Sequence, residues 1–178
     1  MKNLENLMFE LKISDLVEAK QLSQQWATHT ISLLDPGIKY LLKELNSDIK
    51  IPVAMSGKKL RRYYFHDIVN EDDFLILLTE DSTPTLATPA QIKDILAFTV
   101  LLNDKDKLLI HCQVGISRST AVACGVLCQH GLTPLEAIQY VLSIRPQANP
   151  NPHIIKLFDE ILGFEGQLVS VHHKKSQN

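Results

Sequence analysis

Cys112 and Arg118 stand six positions apart in the run HCQVGISRST, residues 111–120, which lies between an apolar segment, 107–110, and an apolar helix-like stretch from Ala121. Of the intervening Gln113, Val114, Gly115, Ile116 and Ser117, the glycine accepts a positive φ at no steric cost. A loop that runs from a strand into a helix N-terminus turns successive N–H groups toward an anion. Arg118 adds a planar pair of donors suited to a phosphate. The loop amides, the helix dipole and this guanidinium all favour a negative sulfur on Cys112, which makes a nucleophile without an adjacent general base.

Other readings of the same residues compete with this one. Cys112 is equally a small core residue by type, Arg118 a surface charge and Gly115 an ordinary turn. A thiol protease would need a histidine brought in from elsewhere in the fold. His111 does not supply it, because neighbours on a strand point to opposite faces. His111 is expected to order the loop by hydrogen bonding to backbone, with plain packing as the alternative.

The run resembles the signature loop of the cysteine-based protein tyrosine phosphatase superfamily, and its details are most similar to the compact dual-specificity branch, including bacterial tyrosine-phosphatase-like members. The resemblance extends over about residues 9–163 and is specific only at the loop. It implies that Cys112 attacks phosphorus, that the amides of Gln113, Val114, Gly115, Ile116, Ser117 and Arg118 hold the phosphoryl oxygens with the Arg118 side chain, and that Ser119 hydrogen-bonds the sulfur as it leaves. Low-molecular-weight phosphatases and arsenate reductases carry the cysteine near the N-terminus, whereas over a hundred residues precede it here.

Phosphomonoester cleavage also needs an acid to protonate the departing oxygen and later to activate water. The upstream carboxylates are Asp67, Glu71, Asp72, Asp73, Glu80 and Asp81. Relatives place the acid just after a short strand, and Asp67 follows RRYYFH in that way. It is the first choice, although it lies 45 positions before Cys112, a gap that implies a longer inserted loop than compact relatives have. Asp72, Asp73, Glu80 and Asp81 stay in reserve.

The implied activity is a phosphomonoester hydrolase, a protein tyrosine or dual-specificity phosphatase working through a phosphocysteine, with no cofactor and no metal. A phosphoprotein or phosphopeptide is the expected substrate, because the loop interior carries no lysine or second arginine to favour polyanions. A phosphoinositide or inositol phosphate phosphatase is the alternative from the same superfamily. The alternative from another class is a pseudophosphatase that binds phosphoproteins and turns over poorly.

Composition is compatible with one enzyme domain over 1–166 and a polar C-terminal tail over 167–178 that frays. The chain has 178 residues, 45% of them hydrophobic, and a formal net charge of −2, which recruits neither nucleic acid nor an anionic membrane. No stretch is long and apolar enough to span a bilayer. Three cysteines, Cys112, Cys124 and Cys128, fit a reducing compartment better than a disulfide scaffold. The cytoplasm is therefore expected, and export by a specialised route would leave no mark here. Cys124 and Cys128 are read as core, and Lys58, Lys59, Arg61 and Arg62 as a solvated face.

The elements that must carry the loop read as an α/β fold, a central and mainly parallel sheet flanked by helices. Strands are expected at 9–13, 28–34, near 49–54, 61–66 and 107–111, the last apolar on both faces as a central parallel strand should be. Helices are expected at 15–26, 38–45, 88–102, 117–129, from Thr133 and at 152–162. Thr88 with Gln91, and Thr133 with Glu136, spell capping boxes with proline at the first turn.

Overall fold

A computed structural model describes residues 9–79 and 83–176. Four strands, β1 (Glu10–Ser14), β2 (His29–Leu34), β3 (Lys59–Tyr64) and β4 (Lys107–His111), form one sheet in the order β1-β4-β2-β3, every pair parallel. Around it lie α1 (Leu16–Gln25), α2 (Ile38–Glu44), α3 (Glu71–Thr79), α4 (Pro89–Thr99), α5 (Arg118–Gln129), α6 (Pro134–Ile144), α7 (Pro152–Leu162) and α8 (Gln167–Ser176). The expected α/β class is the observed one.

Local chemistry starts the helices where the sequence marks them. Asp15 caps α1, and both capping boxes form, Thr88 with Gln91 and Thr133 with Glu136. Each satisfies two of the orphan amides of a first turn. The sheet centre is buried throughout: β2 is buried at every position, the polar His29, Thr30 and Ser32 included, and Leu108, Leu109 and Ile110 of β4 are fully buried. Helix α5 is buried from Arg118 to Cys128, against β4 on one side and α6 and α7 on the other.

Four expectations need correction. Residues 49–54 make no strand. Pro52 has no N–H to give a ladder, and Ile49 and Ile51 alternate because they pack on Leu16, Leu34 and Ile38. The long gap before Cys112 holds helix α3 rather than only loop. Its first turn carries Glu71, Asp72 and Asp73, a favourable sign at a helix N-terminus, and Asp73 accepts from the Val69 amide while Asn70 accepts from that of Asp73. Glu80 and Asp81 lie outside the described residues. The basic cluster is tied down at two members: Lys58 donates to the Ser23 and Ala27 carbonyls, and Arg62 to Ser32 Oγ and the Pro52 carbonyl.

The segment from 167 is the fourth correction, because it is helical to 176 and packs on α6 and α7. Leu168 joins the main core. The Asp159 carboxylate accepts from the amides of Gly166, Leu168 and Val169 at 2.6, 2.7 and 3.2 Å. A polar composition concealed a helix anchored by Leu168, by Val169 and Val171 packed on the same core, and by a cap supplied by another helix.

Cys124 and Cys128 are buried core residues, as read. Burial pushes both thiols up, that of Cys128 to about 12, so neither is a ready nucleophile. Between them Gly125 sets the spacing of α5 and α7. A Cβ there would stand 2.2 Å from the Phe158 ring. Glycine to alanine inside a helix ordinarily gains about 1 kcal/mol. Overpacking reverses the sign here, so Gly125→Ala is expected to cost about 1–3 kcal/mol in denaturant unfolding, and Phe158→Leu in the same chain should recover part of it.

Candidate active site

Strand order brings the site together. Because β4 pairs with β2 and β2 with β3, the carboxyl ends of these strands stand side by side, where open parallel sheets bind ligands. The first residues past them are Cys112 after β4, Asp35 after β2, and Phe65, His66 and Asp67 after β3.

The loop from Gln113 to Ser117 is held from outside by its carbonyls. Gln113 O accepts from the Leu16 amide at 3.1 Å. Val114 O and Gly115 O accept from Arg145 Nη2 and Nε at 3.2 and 3.0 Å. Ile116 O and Ser117 O accept from the amides of Asn149 and Asn151 at 2.9 and 3.2 Å. With all five carbonyls engaged by donors outside the loop, the peptide dipoles direct their N–H ends to the other side.

Cys112 Sγ lies on that other side. It accepts from the Gly115 amide at 3.1 Å, and Ser119 Oγ is 3.2 Å away. Ser117 stands at the N-cap of α5 without a side-chain cap bond, so the helix presents its first-turn amides and positive dipole end uncapped. Gly115 has φ +74°, and a Cβ on it would come within 2.8 Å of Asp15 N, Ser14 C and Arg145 Nη2. The position admits glycine alone, for both conformation and space.

Arg118 is only 2% exposed. Its Nη1 donates to Asp35 Oδ1 at 2.6 Å and to the Phe65 carbonyl at 2.8 Å, and Nη2 donates to Gln113 Oε1 at 2.6 Å. Among the described residues Nε has no hydrogen-bond partner, its nearest carboxylate oxygen being Asp67 Oδ2 at 3.7 Å. A guanidinium buried this deeply and held through Nη1 and Nη2 keeps a fixed orientation, with donor capacity left over at Nε.

Asp67 therefore reaches the loop. Its Oδ1 accepts from Ser117 Oγ at 2.6 Å and from Asn151 Nδ2 at 2.9 Å. Of the reserve carboxylates, the two among the described residues, Asp72 and Asp73, do not bond to the loop. Asp72 is exposed on α3, and Asp73 shares with Asp35, His66, Asp67, Ile76 and Leu77 a hollow of about 190 Å³ beside Arg118. Asp35, Asn151 and Arg145 were not singled out from sequence. Asp35 opens the run DPG, and Arg145 and Asn151 lie in the run RPQANPNP, whose contacts are with the loop.

His111 is fully buried. Nδ1 lies 3.4 Å from the Cys112 carbonyl oxygen, and Nε2 has no hydrogen-bond partner among the described residues. Burial pushes the imidazole down to about 4, with the Arg62 and Arg118 charges acting in the same direction. It is neutral at neutral pH.

Comparisons place these features among known proteins. A family model described as "Dual specificity phosphatase, catalytic domain" matches residues 36–160. A curated relative, Dual specificity protein phosphatase 1 of Arabidopsis thaliana, is 42% identical over 55 residues, a stretch covering 30% of this chain and 28% of that protein, so the chain matches under a third of that relative's length. The crystal structure of human DUSP28 superposes with a TM-score of 0.52 at 23% identity, covering 87% of this chain and 94% of that one. That of human tyrosine phosphatase-like serine/threonine/tyrosine-interacting protein gives 0.52 at 19% identity, with 87% and 92% covered. The two structures share the fold. Among the described residues no helix is long and apolar enough to cross a membrane.

The neutral His111 makes a stability prediction whose sign follows from linkage. Above pH 6.5 both folded and unfolded forms are neutral and nothing is lost. Below it the unfolded chain takes a proton that the folded chain refuses, so stability falls until about pH 4, where the folded form also protonates. The full loss is about 3 kcal/mol. Denaturant titrations of the wild type and His111→Gln between pH 4 and 7 should converge as pH falls, and parallel curves would refute this.

Proposed function

This chain belongs to the dual specificity phosphatase family, and from that premise we propose that it hydrolyses phosphomonoesters on proteins through a phosphocysteine at Cys112. What supports the reading above all is the combination at one point: Cys112 Sγ faces a loop whose five carbonyls are engaged elsewhere, beside a buried Arg118 with an unused Nε.

In the first step Sγ attacks phosphorus as the P–O bond to the leaving group breaks. The loop amides from Gln113 to Arg118 and the Arg118 guanidinium stabilise charge on the three equatorial oxygens. Asp67 gives its proton to the departing oxygen. In the second step Asp67 takes a proton from water as that water attacks phosphorus, and sulfur leaves as a thiolate eased by Ser119 Oγ. Neither metal nor cofactor takes part, and His111 has no proton role because it is neutral and turned into the core.

The surroundings of Arg118 bear on substrate class. Asp35, Asp67 and Asp73 line the adjoining hollow, and the loop interior adds no cation. Clustered carboxylates repel the extra phosphates of inositol polyphosphates and phosphoinositides. A single phosphate on a peptide suits the site better. A cytoplasmic location goes with the odd count of three cysteines, Cys112, Cys124 and Cys128, which suits a reducing compartment better than a disulfide scaffold.

Turnover of an aryl phosphate and of a phosphopeptide, measured beside two variants, tests this. Cys112→Ser should abolish hydrolysis, and Asp67→Asn should lower kcat/KM about 10²-fold or more for a poor leaving group. Tight phosphopeptide binding by a wild type that does not turn over would mark a phosphate-recognition module instead.

A further inference from the structure

The Asp67 carboxylate is held asymmetrically. Oδ1 accepts two hydrogen bonds, from Ser117 Oγ at 2.6 Å and Asn151 Nδ2 at 2.9 Å, and Oδ2 faces Arg118 Nε at 3.7 Å. Asn151 is buried, and its amide orientation is determined by its neighbours. Nδ2 donates also to the Ile68 carbonyl at 3.0 Å, Oδ1 accepts from the Ile154 amide at 3.1 Å as the cap of α7, and the backbone N–H donates to Ser117 O. Reversing the amide would set its oxygen against the Asp67 and Ile68 oxygens and its NH₂ against an N–H.

Resting on the reading of Asp67 as the acid, we infer that Asn151 is a positioning residue which, with Ser117, occupies Asp67 Oδ1 and so assigns the transferable proton to Oδ2. A proton on Oδ1 would displace one of two donors and leave it buried and unpaired. Oδ2 has no such neighbour and lies toward the guanidinium that holds the phosphoryl group. As Sγ–P forms and P–O breaks, Oδ2–H passes its proton to the leaving oxygen and the carboxylate remains. As water attacks, Oδ2 recovers a proton from it, Sγ–P breaks, and inorganic phosphate and thiolate are released. Asn151 touches no reacting atom. It acts by fixing which oxygen of Asp67 does.

Dependence on the leaving group reads this directly, because an activated leaving group needs little protonation and a poor one depends on it. The measurement is the ratio of kcat/KM for 4-nitrophenyl phosphate to that for phenyl phosphate, which reports the first step alone. Asn151→Asp keeps an oxygen for the α7 cap and removes the donor. Asn151→Ser also caps and falls short of Asp67, and Ser117→Ala removes the second donor without touching the cap. All three are expected to widen the ratio about tenfold or more, and none should widen it further when Asp67→Asn is already present. Parallel loss on both substrates, or an unmoved ratio beside a widened one in Asp67→Asn, overturns the inference while leaving the acid assignment standing. An unmoved ratio in Asp67→Asn overturns the assignment and the inference together.

Discussion

One buried positive charge organises the site. Arg118 sits almost without solvent, and a lone guanidinium there would be prohibitively unfavourable. Asp35, the Phe65 carbonyl and Gln113 Oε1 offset the lost hydration through Nη1 and Nη2. Asp35 is itself partly exposed, and Nε faces a second carboxylate oxygen, Asp67 Oδ2, at 3.7 Å without hydrogen-bonding to it. A fully neutralised guanidinium would be more comfortable in the fold and of little use to an anion. In the proposed mechanism, the hydrogen bond left unmade at Nε is the one an incoming phosphoryl oxygen takes.

That pairing depends on topology. Asp35 follows β2, and Phe65 and Asp67 follow β3, so they meet Arg118 only because β2 and β3 lie in sequence on one side of β4. Residues 83 and 53 positions from Arg118 become its ligands through strand register. The register is in turn secured by the buried interior of β2 and β4, where a slip by one residue would turn His29, Ser32 or Lys107 toward the wrong neighbours.

The loop, the two capping boxes and the central strand were legible because each is a local pattern: fixed spacing, a proline after a threonine, an unbroken apolar run. The place of Asp67 after a strand was legible, and its contact with the loop was not. Asp35, Arg145 and Asn151 were opaque for the same reason. A turn-forming aspartate, a helix-end arginine and a capping asparagine have ordinary local readings, and their second role exists only across the fold. Helices α3 and α8 were missed because an acidic start followed by apolar residues, and a polar tail, carry weak periodicity. Tertiary contacts decide such segments.

The linker after α6 shows how a sequence with little helical or strand content can be exacting. Asn149 and Asn151 alternate with Pro150 and Pro152. Proline has no N–H and fixes its own φ, so the only amides this stretch can offer are those of the asparagines, and both go to loop carbonyls, Ile116 O and Ser117 O. Pro152 then opens α7, where its missing donor costs nothing. Arg145, at the other end of the linker, takes Val114 O and Gly115 O. An outward carbonyl obliges its peptide plane to turn the N–H the other way, so the linker sets the field at Cys112 without approaching it. Dipoles fixed before substrate arrives need no reorganisation during the reaction, which is where electrostatic catalysis gains most.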